Sequence, residues 1–278
     1  MTTLRLVLAG IFTSLGIYLF VTAPPVLPDA DDTRAEARPL EVEKLFNAAD
    51  AVNAAARQIY TARIVGGGKK AGLKFGEDWA EPGVEKGPLP ALFLRAVAAR
   101  METKPARLGL YLGSDEPINK SNLFEGAQAE AFRQVKQTRG PVFSTTEGGG
   151  QVAMYPDFAS AKPCVVCHND HPDSPKTDWK LDDVMGATTW TYPSDEVGAG
   201  DYLSVTEALF QSVEEAYQAY LDRAAAFAQP VPIGGAWPAE GRPALPDAPT
   251  FMAEVRRAAS ERVVTELILV SRVAEDLQ

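Results

Sequence analysis

Residues 164–168 have the sequence Cys-Val-Val-Cys-His, and Cys164 and Cys167 are the only two cysteines of the chain. The spacing Cys-x-x-Cys-His is the attachment motif of a c-type haem. Two thiols three residues apart form thioethers with the two vinyl groups of one porphyrin, and the adjacent histidine then ligates the iron. We therefore predict one covalently attached haem c, held by Cys164 and Cys167, with His168 as the proximal iron ligand.

Three other kinds of site use the same residue types. A thioredoxin-like redox pair shares the spacing Cys-x-x-Cys, but it needs no histidine and is expected in a βαβ context. A structural zinc site needs four ligands, and this segment offers only the two cysteines, His168 and His171. A simple disulfide is the third alternative. A motif with three fixed positions is rare by chance in a chain with two cysteines and two histidines, which favours haem.

Composition and charge narrow the class of protein. The chain has 278 residues, 46% of them hydrophobic, which suits one large domain or a domain with additional helices. The formal net charge is −10, whereas nucleic-acid binding and charge-driven docking on anionic lipid both require a basic surface. We therefore expect no nucleic-acid partner. An acidic surface is compatible with simple solubility or with basic protein partners.

The N-terminal segment is apolar enough to interact with a membrane. Residues 6–21 are almost continuously apolar, and no charged residue occurs between Arg5 and Asp29. This length lies between that of a signal-peptide core and that of a relaxed membrane span. Cleavage after Ala23 would place Pro24 directly behind the scissile bond, which disfavours it. We therefore expect an uncleaved signal anchor rather than a removed signal peptide or a buried core helix.

The anchor and the haem motif together predict a location. We assign residues 1–23 to a single membrane-spanning helix and the proline-rich residues 24–39 to an extended tether. Arg5 and the terminal amine precede the apolar segment, as the positive-inside rule expects. A c-type haem is attached on the outer side of the bacterial inner membrane. The expected location is therefore the periplasmic side of that membrane, with the N-terminal helix contacting the bilayer.

Residues 40–197 show helix and strand signals that predict an α+β domain with an antiparallel sheet. Apolar residues at steps of three and four predict one long amphipathic helix over residues 42–64, which the glycines at 66–68 should end. A short helix over residues 91–101 should begin at Pro90. The other predicted elements are a helix over residues 125–138 and strands over residues 107–111, 141–145, 152–155 and 184–192.

Residues 198–278 predict a helical extension. Ser204 and Glu207 form a capping box, and apolar residues at helical spacing continue to Phe227. Thr250 is the expected cap of a last helix that carries several charged residues, so it is not a membrane span. We expect these two helices to serve in packing more than in partner binding.

The haem segment resembles a known family. Residues 164–186 are Cys-Val-Val-Cys-His-Asn-Asp-His-Pro-Asp-Ser-Pro-Lys-Thr-Asp-Trp-Lys-Leu-Asp-Asp-Val-Met-Gly, and residues 87–90 are Gly-Pro-Leu-Pro. Both stretches are similar to a bacterial family of exported, single-haem c-type domains with a PAS-like fold, over about residues 40–193. The resemblance implies a long N-terminal helix leading into a PAS-like sheet. It also implies a role in sensing redox state or a small gas, usually in front of a transmitter module, and no such module follows here.

The sixth position of the iron decides between these functions, because two strong ligands give an electron carrier and an open position allows gas binding. Met154 is the first candidate for the sixth ligand, followed by Met185 and Met101, and a site without a sixth protein ligand is a further option. His171 is only three residues from His168, so we expect it to orient the loop or a haem propionate by a hydrogen bond. The family resemblance implies that a cysteine on the long N-terminal helix can serve as the sixth ligand. This chain has no third cysteine, and its long N-terminal helix offers Asn53 and Tyr60 instead.

Two aromatic residues, Tyr155 and Trp179, are candidate walls of the haem pocket, with ordinary core packing as the alternative. Three lysines near the motif either pair with haem propionates or are solvated: Lys162, Lys176 and Lys180.

The sequence favours a non-enzymatic haem protein with a redox role, because a haem enzyme needs a distal acid or base beside the iron and His171 is the only spare histidine. The first hypothesis is a redox or gas sensor that acts through a protein partner. The alternative is an electron-transfer cytochrome subunit of a respiratory or photosynthetic membrane complex.

Overall fold

A computed structural model of the chain describes the backbone of residues 40–275 and the side chains of residues 41–267. Helix α1 (Val42–Ile59) begins directly after a two-residue strand, Leu40–Glu41, which pairs with Glu196–Val197. Its buried side chains recur at steps of three and four, including Leu45, Ala49, Val52 and Ala56, as an amphipathic helix requires. The prediction of one long helix from residue 42 is confirmed.

The end of that helix differs from the prediction. The chain does not stop at the three glycines: it continues as a π-helix, Tyr60–Gly66, and then as the short helix α2 (Gly67–Lys70). Glycine weakens a helix through its backbone entropy, but it does not forbid helical dihedral angles. Tyr60 and Ile64 of the π-helix are fully buried, so tertiary packing outweighs the low helix propensity of the glycines.

The central sheet has four antiparallel strands in the order β1-β4-β3-β2. The strands are β1 (Gly109–Gly113), β2 (Val142–Thr145), β3 (Gln151–Phe158) and β4 (Val184–Tyr192). The last three lie where the sequence predicts them, β3 being longer than expected. The first begins two residues later than predicted, because Arg107 has a left-handed φ of 53°, which no strand residue adopts.

The two faces of the sheet belong to two separate cores. One face packs against α1, helix α3 (Pro90–Met101) and the C-terminal helices, and its buried residues include Ala153, Tyr155 and Trp190. The other face packs against helix α4 (Gly126–Thr138) in a smaller cluster around Phe132. The mixed α+β class with an antiparallel sheet is therefore confirmed, and α3 and α4 lie where the sequence predicts them.

The haem motif lies on helix α5 (Lys162–Asp170), in the connection between β3 and β4. Two long helices follow the sheet: α6 (Ala199–Ala225) and α7 (Ala248–Glu275). The C-terminal helices are confirmed, with two corrections to their starts. Ser204 lies inside α6, so the predicted capping box is wrong. Asp247 rather than Thr250 caps α7, because the Thr250 N–H donates to Asp247 Oδ1 at 2.9 Å.

One predicted feature of the chain is corrected. Among residues 40–275, no helix combines the length and the apolar character needed to cross a membrane. The predicted location, anchored by a single span on the periplasmic side of the inner membrane, is therefore not retained. The anchor predicted over residues 1–23 and the tether over residues 24–39 lie outside the described residues.

Candidate cofactor site

Helix α5 brings the two cysteines to one side of a single helical turn. Pro163 is in its first turn, where its missing N–H costs nothing, and the Cys164 N–H donates to the Ala161 carbonyl at 2.9 Å. Residues three apart on a helix are neighbours, so Cys164 and Cys167 face the same way. Both thiols are free; Cys164 is half-buried and Cys167 is exposed. Two thiols are thus available together for covalent attachment.

His168 follows on the same helix as a half-buried imidazole. Burial lowers the pKa of His168, and the neighbouring His171 lowers it further. The imidazole is therefore neutral at physiological pH, which is the form that ligates a metal. Its Nδ1 atom is buried without a hydrogen-bond partner, an unusual condition for a polar atom inside a protein.

Trp179 lies edge-on to His168, with 6.5 Å between the ring centroids. Asn169 fixes it there: Asn169 Nδ2 donates to the Trp179 carbonyl at 3.1 Å, and the Trp179 N–H donates to Asn169 Oδ1 at 2.8 Å. Trp179 is buried, and its Nε1 atom also has no hydrogen-bond partner. The structure thus brings Trp179 to His168, and its role as a wall of a haem pocket stays a prediction. Asn169 was missed, although it directly follows the motif.

His171 ends helix α5 and orders the loop after it. Its Nδ1 atom accepts a hydrogen bond from the Asp173 N–H at 3.1 Å, and its Nε2 atom lies 3.6 Å from Glu77 Oε1. These contacts leave the side chain engaged with the loop and with the segment after α2. They match the loop-orienting role expected for His171.

Charged side chains of α1 and α2 surround the cysteines. Burial lowers the pKa of Arg57, but the hydrogen-bonded ion pair with Asp157 and the charge of Asp50 raise it above its ordinary value, and Cys164 is also among its electrostatic neighbours. Arg57 forms a two-point ion pair with the Asp157 carboxylate on β3. Burial raises the pKa of Cys167, and the positive charge of Lys69 on α2 lowers it by less. Helix α5 therefore lies on the α1 side of the sheet.

Met154 is on the opposite side. It pairs with Thr189 on β4 and is buried in the smaller core with Phe132 and Val135 of α4. Because neighbouring strand residues point to opposite faces, Met154 points away from the face that carries Tyr155 and Asp157. The structure does not bring Met154 and His168 together. Met101 is buried in the main core, and Met185 is half-buried on β4.

Tyr155 is on the α1 side but belongs to the main core. Its hydroxyl donates to Asn47 Oδ1 of α1 at 2.7 Å, and its ring is buried. Burial raises the pKa of Tyr155 far above its ordinary value, and the charge of Asp50 adds to this effect. Core packing is thus the role of Tyr155 that its contacts describe.

Of the three lysines near the motif, Lys176 pairs with Asp178 and lies 5.0 Å from the centre of the Trp179 ring.

The alternative sites of the motif find less support. Among residues 40–275, no group of three or more His, Cys, Asp or Glu side chains is arranged to hold a metal ion, as a zinc cage requires. A reactive redox cysteine needs a lowered pKa, and the pKa of Cys167 is raised. The antiparallel sheet is also not the βαβ context of a thioredoxin-like pair.

A covalently attached haem fits this site. Helix α5 presents two free thiols on one helical turn with a neutral imidazole beside them, and two buried polar atoms, His168 Nδ1 and Trp179 Nε1, have no hydrogen-bond partner. The fold and the site define the class: an α+β domain with the donor set of a c-type haem protein. The family model described as Tll0287-like (Tll0287) matches residues 32–193, more than half of the chain. The chain belongs to the Tll0287-like family, whose domain binds haem c. No curated protein and no solved structure matches the chain.

Proposed function

We propose that the chain is a monohaem c-type protein with a non-enzymatic redox role, as a sensor of redox state or of a small gas that reports to a protein partner. Cys164 and Cys167 would hold the haem by thioethers, and His168 would ligate its iron. When bound, the haem supplies one-electron chemistry, and its potential depends on the ligands and charges around it. The single observation that carries the proposal is the common presentation of both thiols and the neutral imidazole by helix α5.

The packing of α1 supports the sensor function. Arg57 of α1 lies within electrostatic range of Cys164, and the same helix packs along α7. A change of charge at the haem would therefore act on α1, which contacts the C-terminal helices. We propose that a protein partner reads this change, and that the PAS-like architecture implied by the family resemblance serves it.

A second function, electron transfer within a membrane complex, is favoured by one observation. Cys167 is exposed, and Val166 beside it retains 46% of its surface. A haem attached at this position would lie near the protein surface, where electrons can pass to another protein.

The test is an absorption spectrum of the full chain, co-expressed with the c-haem attachment machinery, in oxidised, reduced and carbon monoxide-treated reduced forms. We expect haem that survives denaturing electrophoresis and that is lost in the double variant Cys164→Ala/Cys167→Ala. If carbon monoxide shifts the reduced spectrum, gas sensing is favoured. If carbon monoxide leaves the reduced spectrum unchanged, redox sensing or electron transfer is favoured. Wild-type protein without covalent haem would overturn the proposal.

Met154→Leu is a matched variant for the ligand question. Because Met154 is buried on the α4 side of the sheet, we expect its substitution to leave the spectrum unchanged. A changed low-spin spectrum would instead identify Met154 as the sixth ligand.

A further inference from the structure

A cluster of charged side chains lies between α1 and the sheet, on the side that carries helix α5. Arg57 binds the Asp157 carboxylate with two nitrogens, and Thr188 Oγ1 on β4 donates to Asp157 Oδ1 at 3.1 Å. Asp50 is seven residues before Arg57, which places both on one face of α1. One guanidinium therefore faces two carboxylates.

Asp50 is the carboxylate of this cluster without an ion-pair partner of its own among the described residues. Burial raises the pKa of Asp50 to about 7, and the charge of Asp157 adds to this effect. Interactions with Trp190, Arg57 and Arg262 lower it by less. A carboxyl group with such a pKa can change its protonation state near neutral pH.

Several elements contribute groups that face Asp50. They are Arg57 on α1, Tyr155 and Asp157 on β3, Trp190 on β4, and Arg262 on α7. Trp190 is fully buried, and its Nε1 atom makes no hydrogen bond of standard geometry. This N–H lies close to Asp50 and favours its ionised form.

Arg57 connects this cluster with the haem motif. Its guanidinium interacts with Asp157, with Asp50 and with Cys164. Arg57 retains 28% and Asp157 18% of their side-chain exposure, so the cluster is open enough to exchange protons with solvent. A change of one unit of charge next to Cys164 therefore acts on the Arg57 guanidinium. The same guanidinium favours the ionised form of Asp50.

We propose that Asp50 is the proton-binding group linked to the redox state of this site: its carboxylate takes up one proton from solvent when one electron arrives from a one-electron donor, and releases it when the electron leaves. This rests on the proposed function, because the electron is held by the haem. An added electron makes the site more negative, which raises the affinity of Asp50 for a proton. By linkage, protonated Asp50 favours the reduced state.

The inference predicts the sign of a pH effect. As the pH rises through the range around 7, ionised Asp50 disfavours reduction, so the midpoint potential falls. The upper limit is one proton per electron, or about 59 mV per pH unit. Below this range Asp50 is protonated in both redox states, and the slope disappears.

The test is a spectroelectrochemical titration of the full haem-loaded chain from pH 5.5 to 8.5, in wild type and in Asp50→Asn. We expect the wild-type potential to fall with pH. The variant should lose this slope and keep a potential near the low-pH wild-type value at every pH, because a neutral amide resembles the protonated carboxyl. The matched control is Glu43→Gln, an exposed carboxylate of the same helix, which should keep the wild-type slope.

A flat wild-type profile, or a slope that persists in Asp50→Asn, would overturn the inference while leaving covalent haem binding intact. If the variant fails to fold, redox-difference infrared spectra of wild type labelled with ¹³C-aspartate decide the question. A labelled carboxyl band gained on reduction is expected, and its absence would contradict proton uptake by an aspartate.

Discussion

Arg57 and Asp157 meet from positions 100 residues apart in the chain and join α1 to β3. Both side chains keep part of their exposure, so solvent screens the pair more than it would a fully buried one. Removing one partner nevertheless leaves the other charge in a recess where Thr188 and Asp50 are arranged around the intact pair. Charges in such places cost more when they are left alone than they contribute when they are paired.

We therefore expect Asp157→Asn to lower the free energy of unfolding by about 1–3 kcal/mol, between the values for surface and buried pairs. Urea unfolding followed by circular dichroism measures this. Glu130→Gln is the control, because the ion pair of Glu130 with Arg133 lies on the surface of α4. It should cost less than about 0.5 kcal/mol. Equal effects of the two variants would contradict a special role for the Arg57–Asp157 pair.

Residue patterns in the sequence indicated the candidate attachment site but not its surroundings. Cys164, Cys167 and His168 were predictable because attachment chemistry fixes their spacing within five residues. The position of Arg57 and Asp157 beside this site was not predictable, because it depends on how β3 packs against α1. The usable signal was weak: Asp50 and Arg57 are seven residues apart on one face of a helix whose buried residues are mostly apolar.

At the scale of elements, the π-helix Tyr60–Gly66 is where the first helix meets the C-terminal segment. Arg63 lies over the Trp237 ring, 3.5 Å from its centre, and also pairs with Glu254 of α7 at 3.3 Å. Gly67 comes next, and a Cβ atom at this position would be 2.7 Å from the Pro238 carbonyl oxygen. Short π-helical segments next to an α-helix often occur at functional positions. Here the π-helix lies where α1 and the loop before α7 come into close contact.

Gly67→Ala should therefore destabilise the protein although its backbone dihedral angles are helical. The added methyl group meets a backbone oxygen that cannot easily move, and overpacking of this kind costs about 1–3 kcal/mol. Gly200→Ala in the first turn of α6 is the matched control, since a Cβ atom there meets nothing within 4 Å. It should be neutral or stabilise by up to about 1 kcal/mol. Chemical denaturation of both variants measures the difference, and a neutral Gly67→Ala would disprove the close contact.

Elements with a clear period were predicted well, and their ends were not. Strand β4 has the predicted bounds because most residues from Val184 to Tyr192 are apolar, aromatic or β-branched. The glycine run and Ser204 misled because both are local signals for a boundary, while the decisive contacts are distant. The glycines stay helical, Gly67 packing against Pro238 and Gly68 against Phe75, and Ser204 lies one turn into a helix that already began at Ala199.

At the scale of the whole molecule, one core unites helices from both ends of the described chain. Phe251 of α7 stacks on Tyr217 of α6 with ring centroids 4.1 Å apart, and it contacts the edge of Phe93 of α3 at 6.2 Å. Phe93 in turn stacks on Tyr60 at 4.2 Å. The boundary predicted between residues 197 and 198 stays a prediction as a domain limit, but the main core contains buried residues from both sides of it.

Phe251→Ala should consequently destabilise the whole protein by about 3–5 kcal/mol, the usual cost of removing a fully buried aromatic ring. A single cooperative unfolding transition at lower denaturant, seen by circular dichroism and by tryptophan fluorescence together, is the expected result. Val264→Ala on the same helix is the control, because Val264 is 48% exposed and should cost less than about 0.5 kcal/mol. Loss of α7 structure alone, with the sheet unaffected, would show that the two halves are energetically independent.

The aromatic stack that joins Tyr60, Phe93, Tyr217 and Phe251 also sets the order of events during biosynthesis. Helix α7 follows helix α5 in the chain and is synthesised after it, and the main core cannot close without α7. Contacts between such distant parts of a chain form slowly, because the long intervening loop must first be closed. The Cys-Val-Val-Cys-His segment is therefore synthesised well before the tertiary structure that half-buries it. That interval leaves both thiols and the imidazole accessible to the enzymes that would attach a haem.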